Sequence, residues 1–441
     1  AFKAAGDDPW QAFDRILASY HTAKREPHRS AITAQTWDMV IVDEAHHLRN
    51  RNTLLWRFAS ALNKKYILLL TATPLQNNLE ELYNLVTLLQ PGLLGTARSF
   101  RQHFTVRGDN LTPRNLGQLQ RLLTEAMVRN RRSTVGVRFT RRYAQTHAVE
   151  PLAGERKLYG EVTRYVREGL RRAATSRMAL MTLQKEMGSC ILAAAPTLER
   201  LAEARTGSSR EARALWDLAH VAGQQLESAK GERLLRLLQD FPDKMVIFTQ
   251  FRATQDYLQG LLEEVGEEVA VFHGSLPRLQ KEEAIRSFCE RVRLLLSTDS
   301  GSEGRNLQFC HAICNFDLPW NPMRIEQRIG RLSRIGQTED VHVFNLVSLG
   351  TLEAELFRLL EAKVNMFELV MGEMDMILGN LEEEREFEDV VLDLWAQADD
   401  DADFAHRIET LGERLAAAKE EYLRHKELDD RMFGDRLAPE G

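Results

Sequence analysis

A chain of 441 residues with 44% hydrophobic and 28% charged side chains can bury several cores, and this composition excludes disordered and collagen-like classes. A net charge of −6 excludes a uniformly basic molecule, and four cysteines in so long a chain exclude a disulfide scaffold. No apolar run reaches the roughly 18 residues of a membrane helix and no secretory signal is present, so a reducing, cytoplasmic setting without membrane contact is expected.

The first part of the chain alternates apolar runs with helical patterns. "WDMVIVDEA" and "KKYILLLTATP" are continuous apolar runs that end in turns, the pattern of parallel strands buried on both faces. "HLRNRNTLLWRFASALN" between them and "NNLEELYNLVTLLQP" after them have helical spacing, the second stopped by Pro91 and Gly92. From about Ser99 to Gln225 the signal is helical, and Arg98 to Arg142 is basic, with Arg129, Arg131, Arg132, Arg138, Arg141 and Arg142. Such a segment is either a footprint for phosphates or a solvated helix face. Strand–helix alternation then resumes with "DKMVIFTQF", "EVAVFHGS", "VRLLLSTDS", "HAICNFD" and "DVHVFNLVS" as strands. Beyond Gly350 the pattern is helical, with an acidic stretch from Glu382 to Asp403. The Met and Leu stripe in "NMFELVMGEMDMILGNLEEE" reads as core, or as a docking face for a protein partner. "ERLAAAKEEYLRHKEL" reads as a solvent-exposed arm.

The fold class expected is α/β, with two parallel-sheet units separated and followed by helical material. The boundaries expected are 1–98 for the first unit, 99–225 for the helical, arginine-rich insertion, 226–350 for the second unit and 351–441 for the extension. Cys310 and Cys314 lack a second pair at zinc-ligand spacing, so free thiols are expected.

Four blocks carry chemistry. In "VIVDEAHHLRN" a buried strand delivers Asp43 and Glu44 to a sheet's carboxyl edge, where α/β folds hold ligands. Adjacent acids there can hold Mg²⁺ and orient a water for nucleotide hydrolysis, or simply cap the next helix. A zinc site on Glu44, His46 and His47 is disfavoured, because zinc proteases space two histidines four apart on a helix. "TATPLQNN" ends a strand in two hydroxyls, Thr71 and Thr73. "STDSGSEGRNLQ" breaks a strand into a loop whose small residues let backbone N–H groups approach an anion. "EQRIGRLSRIGQ" places Arg331 and Arg334 three apart, on one helical face and within reach of one phosphate.

In this order and spacing the blocks resemble superfamily-two helicase-like ATPases of the Swi/Snf family, and its bacterial RapA-like branch in particular. "DEAHHLRN" resembles motif II, "TATPLQN" motif III, "VIFTQF" and "VFHGSL" motif IV and its sequel, "TDSGSEGRNLQ" motif V, and "NFDLPWNPMRIEQRIGRLSRIGQ" motif VI with its lead-in. The resemblance spans about Ala18 to Met376. It implies two RecA-like lobes, the first incomplete at its N-terminus, with ATP and Mg²⁺ as cofactors. By it, Asp43 holds the metal and Glu44 positions water. Gln327, Arg331 and Arg334 reach the nucleotide from the second lobe, and Asp299 and Gly304 also face it. His46, Thr71, Thr73, Ser297, Thr298 and Glu303 couple the nucleotide to the nucleic acid. The partner implied is double-stranded DNA held by its backbone, with RNA as the alternative.

The phosphate-cradling loop G-x-x-x-x-G-K-[ST] is absent from the sequence; "GSLPRLQK" and "SAKGERLL" do not fit it. The chain is therefore expected to be the C-terminal portion of a translocating ATPase. A missing N-terminal half would carry that loop, and the isolated chain would be nearly inactive. The competing expectation is a non-hydrolysing nucleic-acid- or protein-binding scaffold with the same fold.

Overall fold

The computed structural model describes residues 9–71, 78–106, 113–128, 140–172, 175–205, 210–225, 227–299, 307–334, 336–367, 369, 373–379, 387–398 and 401–433. They form two compact units, one of residues 1–136 with 420–441 and one of residues 137–419.

In the first unit, helices α1 (Tyr20–Ala23) and α2 (His28–Ala34) precede strand β1 (Thr36–Val42). Helix α3 (Leu54–Ala61) then connects β1 to β2 (Asn63–Leu69), which pairs with it in parallel with Met39 opposite Tyr66 and Val42 opposite Leu69. Thr53 starts α3 because its hydroxyl accepts the Trp56 N–H at 3.2 Å, satisfying one of the free donors of the first turn. Helix α4 (Leu79–Leu89) is capped likewise by Asn78, whose Oδ1 accepts the Glu81 N–H at 3.0 Å. It buries Leu79, Leu82 and Val86 against Phe100 and Phe104 of α5 (Ala97–Phe104) and Leu119 and Leu123 of α6 (Leu116–Leu123). At about 1.5–3 kcal/mol for each fully buried large apolar side chain, this cluster is a main support of the unit.

The second unit is built on a six-stranded, wholly parallel sheet in the order β3-β8-β7-β4-β6-β5. The strands are β3 (Arg142–Val149), β4 (Met245–Thr249), β5 (Val269–Phe272), β6 (Leu294–Thr298), β7 (Ala312–Asn315) and β8 (Val341–Ser348). Every residue of β4, β6 and β7 is buried, as expected for central strands covered on both faces. β3 lies inside the span expected to be helical. It is an edge strand with mostly exposed side chains, so "RYAQTHAV" needed no apolar run to form it. Helices α7 (Ala153–Arg172), α8 (Arg177–Ser189), α9 (Ile191–Glu203) and α10 (Arg210–Gln224) follow β3. Then α11 (Ala229–Asp240), α12 (Arg252–Glu264) and α13 (Arg278–Glu290) alternate with the strands. The core joins Leu234, Leu237, Leu258 and Leu262 of these helices to Met245, Ile247, Leu294, Leu296 and Cys314.

Helix α14 (Pro322–Ile329) lies between β7 and β8, and α15 (Leu352–Val364), α16 (Glu373–Gly379), α17 (Phe387–Gln397) and α18 (Asp401–Phe433) complete the chain. The Met and Leu stripe is core: Met366, Phe367, Met374, Met376 and Ile377 are buried. The last helix is not the exposed arm expected. Phe404, Ile408, Leu411, Leu415, Ala418 and Tyr422 are buried at alternating spacings of four and three, an apolar stripe that requires a packing surface. All four cysteines are free thiols, three of them buried. Among the described residues no helix is long and apolar enough to cross a membrane.

Candidate functional site

The acid pair stands at the carboxyl end of β1. Leu70 anchors it from the neighbouring strand: its N–H donates to the Val42 carbonyl and its carbonyl accepts the Ala45 N–H, both at 2.8 Å. Between those bonds the backbone turns through Glu44, which sits in the left-handed region at φ 48°. That conformation costs a non-glycine residue about 1–2 kcal/mol, and such strain concentrates at functional positions. The turn is held by the Glu44 N–H donating to Asp43 Oδ1 at 3.0 Å. It leaves the Glu44 side chain 60% exposed, with Oε2 3.3 Å from Nδ1 of the buried His46. His47 stacks against His46 at 4.3 Å between centroids and meets Tyr20 edge-on at 5.9 Å. His46 thus stands against the acid pair, and His47 links His46 to Tyr20.

Tyr20 carries chemistry that the sequence reading did not single out. Its phenol is pushed up to about 12 by burial first, then by the charges of Asp43 and Glu44. Its hydroxyl is buried and has no hydrogen-bond partner among the described residues. A buried donor next to two exposed carboxylates suits a hydrated cation, whose water or phosphate oxygens would satisfy it. Mg²⁺ needs only one or two protein carboxylates when phosphate oxygens complete its shell, so Asp43 with its neighbour fits that ion. Further along motif II, Arg49 ties this corner to α4: its carbonyl accepts Asn84 Nδ2 at 2.8 Å and its Nε lies 3.8 Å from Glu81 Oε1. Thr71 follows directly on Leu70, beside the acid pair. Thr73 lies outside the described residues.

In the second unit, Ser297 and Thr298 close β6 and are both buried. Ser297 Oγ donates to the Thr298 carbonyl at 3.1 Å. Asp299 Oδ1 accepts Arg328 Nε at 2.6 Å. Glu303 and Gly304 lie outside the described residues. In α14 and the turn after it, Ile325, Glu326, Arg328, Ile329 and Leu332 are buried. Gln327 and Arg334 are exposed, with Arg331 half-buried. Those three, at i, i+4 and i+7, would share one face of a continued helix. Here the helix ends at Ile329, and Arg334 folds back so that its Nε donates to the Gly330 carbonyl at 2.9 Å.

Gln337 ends the same motif and was also not singled out. It is a buried pin: its Nε2 donates to the carbonyls of Gln308 and Cys310, both at 3.1 Å, and its Oε1 accepts the N–H groups of Thr338 and Glu339. Arg328 and Asp317 were missed too. The signal was an arginine and an aspartate in "NFDLPWNPMRIEQR" that no phosphate-facing role required.

The first unit thus presents a strained acid pair at a parallel-sheet edge, and the second exposes Gln327 near the end of α14 and Arg334 in the turn beyond it. The model of the SNF2-related domain matches residues 7–205, and that of the helicase conserved C-terminal domain matches residues 229–336. The chain is 38% identical over 378 residues to the uncharacterized ATP-dependent helicase YqhH of Bacillus subtilis, covering 85% of this chain and 67% of that protein. It is 27% identical to a probable chromatin-remodeling complex ATPase chain of Oryza sativa, over 81% of this chain and 32% of that one. Among solved structures it matches the Sulfolobus solfataricus SWI2/SNF2 ATPase core in complex with dsDNA at 25% identity and a TM-score of 0.37, over 82% of this chain and 74% of that one. The chain belongs to the SNF2 (Swi/Snf) family of helicase-like proteins.

Proposed function

We propose that this chain is the C-terminal portion of an ATP-dependent translocase that moves along double-stranded DNA. Its two units would be RecA-like lobes joined by the helical insertion. The observation that carries the reading is Glu44: a carboxylate held exposed by a strained backbone at a sheet's carboxyl edge, with Asp43 beside it and His46 behind it. Asp43 would hold Mg²⁺, which would supply charge neutralisation on the phosphates. Glu44 would accept a hydrogen bond from the attacking water and orient it, and the Tyr20 hydroxyl would be available to donate to the same hydrated cluster. Gln327, Arg331 and Arg334 offset negative charge on the transferring phosphoryl group. His46, Thr71, Thr73, Ser297, Thr298 and Glu303 couple this to DNA, and Asp299 and Gly304 complete the second-lobe side.

The phosphate loop would come from sequence outside these 441 residues. The outer face of the β1–β2 pair supports this. Met39 and Ile41 stand in register with Tyr66 and Leu68, and all four are exposed, whereas parallel sheets are normally covered on both faces. The test is ATP hydrolysis by the chain alone and joined to the preceding part of its reading frame, with duplex DNA, single-stranded DNA or RNA. The chain alone is expected to be nearly inactive. The joined protein is expected to be stimulated most by duplex DNA and to lose turnover on Glu44→Gln. Robust DNA-stimulated turnover by the chain alone, lost on Glu44→Gln, would refute the missing-loop reading. No turnover by the joined protein would refute the ATPase reading.

A further inference from the structure

The arginine that the second unit buries most deeply in motif VI is neither of the two assigned to the phosphates. Arg328 lies between Gln327 and Arg331 with its side chain 2% exposed. Its Nε donates to Asp299 Oδ1 at 2.6 Å, just past the end of β6. Its Nη1 donates to Asn315 Oδ1 at 3.0 Å and to the Asp317 carbonyl at 2.8 Å, at the end of β7 and beyond it. Its Nη2 lies 3.5 Å from Asp317 Oδ1, and the guanidinium sits 5.3 Å over the ring of Phe248 in β4.

Asp317, 1% exposed, extends the reach of this group. Its carboxylate accepts the Gln250 N–H at 3.0 and 3.1 Å and the Thr249 hydroxyl, which fastens it to the end of β4. It also accepts Ser189 Oγ at 2.6 Å, from the last residue of α8 in the helical insertion. The guanidinium therefore ties the carboxyl ends of β6 and β7 to α14 directly, and that of β4 through Asp317. A hydroxyl of the insertion holds the far side of the same carboxylate.

Stability alone does not call for this arrangement, because well-packed apolar residues commonly replace a buried ion cluster without loss. What a planar guanidinium adds is direction, since its donors fit only one orientation of their acceptors. The direction it fixes is that of α14, which exposes the neighbouring Gln327 and leads into the turn of Arg331.

We propose that Arg328 is a positioning residue for Gln327 and for the turn that carries Arg331, and that the helical insertion sets this position through Ser189 and Asp317. The consequence for turnover rests on the ATPase reading above; the anchoring of α14 does not. Three variants test both: Arg328→Met keeps the volume, Arg328→Lys keeps the charge without the fork, and Ser189→Ala removes only the hydroxyl. In the 441-residue chain, hydrogen exchange of the α14 amides is expected to speed up in all three, with α13 unchanged. In the ATP-hydrolysing protein, kcat is expected to fall roughly 10–100-fold in both Arg328 variants, with KM for ATP within about threefold, since small misplacements cost this much. Ser189→Ala should lower kcat by a smaller factor in the same pattern. Unchanged α14 exchange in Arg328→Met overturns the proposal, whether or not the protein hydrolyses ATP. Faster exchange with an unchanged kcat per folded molecule overturns the link to turnover. Failure of the wild-type protein to hydrolyse ATP counts against the ATPase reading alone, and the exchange measurement still decides the anchoring.

Discussion

Glu44 meets two opposed demands. Its left-handed backbone favours glycine or asparagine, yet the proposed chemistry requires a long carboxylate there. Glu44→Gly is therefore expected to raise the unfolding free energy of the first unit by about 1 kcal/mol while abolishing turnover, a trade seen where strain serves function. Calorimetry of the variant checks this, and a fall in stability would show that the conformation carries no strain. Glu186 in α8 poses a different problem. Burial lifts its carboxyl to about 7, against pull from the Thr197 hydroxyl and Arg200. In the unfolded chain it titrates near 4.5, so between those values the folded state holds a proton that the unfolded state has released. Stability is lost as pH rises through that window, and above it the penalty is on the order of 3 kcal/mol. Glu186→Gln should stabilise the second unit clearly at pH 8 and hardly at pH 5. Equal shifts in Tm at the two pH values would remove burial of the charge as the cause.

At the scale of elements, α5 and α6 make the sharpest case. They sit in a basic stretch that reads either as a footprint for phosphates or as a solvated helix face, and Phe100, Phe104, Leu119 and Leu123 on it close the core over α4. Phe100→Ala is expected to cost about 3–5 kcal/mol, the price of a large cavity, and to be seen as lost near-ultraviolet signal and a lower midpoint in denaturant. The sequence showed β4, β6 and β7 because strands buried on both sides must be continuously apolar. It concealed β3 because an edge strand is free to be polar, and "RYAQTHAV" is. The candidate site divides the same way. Asp43, Glu44, Gln327, Arg331 and Arg334, which the proposed function assigns to the nucleotide, stand in contiguous sequence motifs and so are legible. Arg328 on α14 and Asp317 in the segment after β7 are set by each other, and no periodicity records such a pairing. Tyr20 meets His47 across 27 residues of sequence by the same kind of tertiary packing.

At the scale of the molecule, each unit has its own apolar core: one around Leu79, Leu82 and Phe100, the other around Ile247, Leu294 and Leu258. Cores that share no side chains need not melt together, so unfolding is expected in two steps rather than one. The two are unequal. Among the described residues the first unit's sheet has two strands and an exposed apolar outer face, whereas the second unit's has six strands with its inner ones buried. Too few strands with one face open to water make a marginal unit, so the lower transition belongs to the first. Phe100→Ala should lower that transition alone, and Ile247→Ala the upper one alone. Joining the preceding part of the reading frame should then raise the lower transition and leave the upper one in place, because a segment that binds only the folded first unit stabilises only that unit. A scan in which Phe100→Ala moves both transitions equally would show that the two cores unfold as one. A joined protein whose lower transition does not rise would show that the face of Met39, Ile41, Tyr66 and Leu68 is covered by something other than that segment.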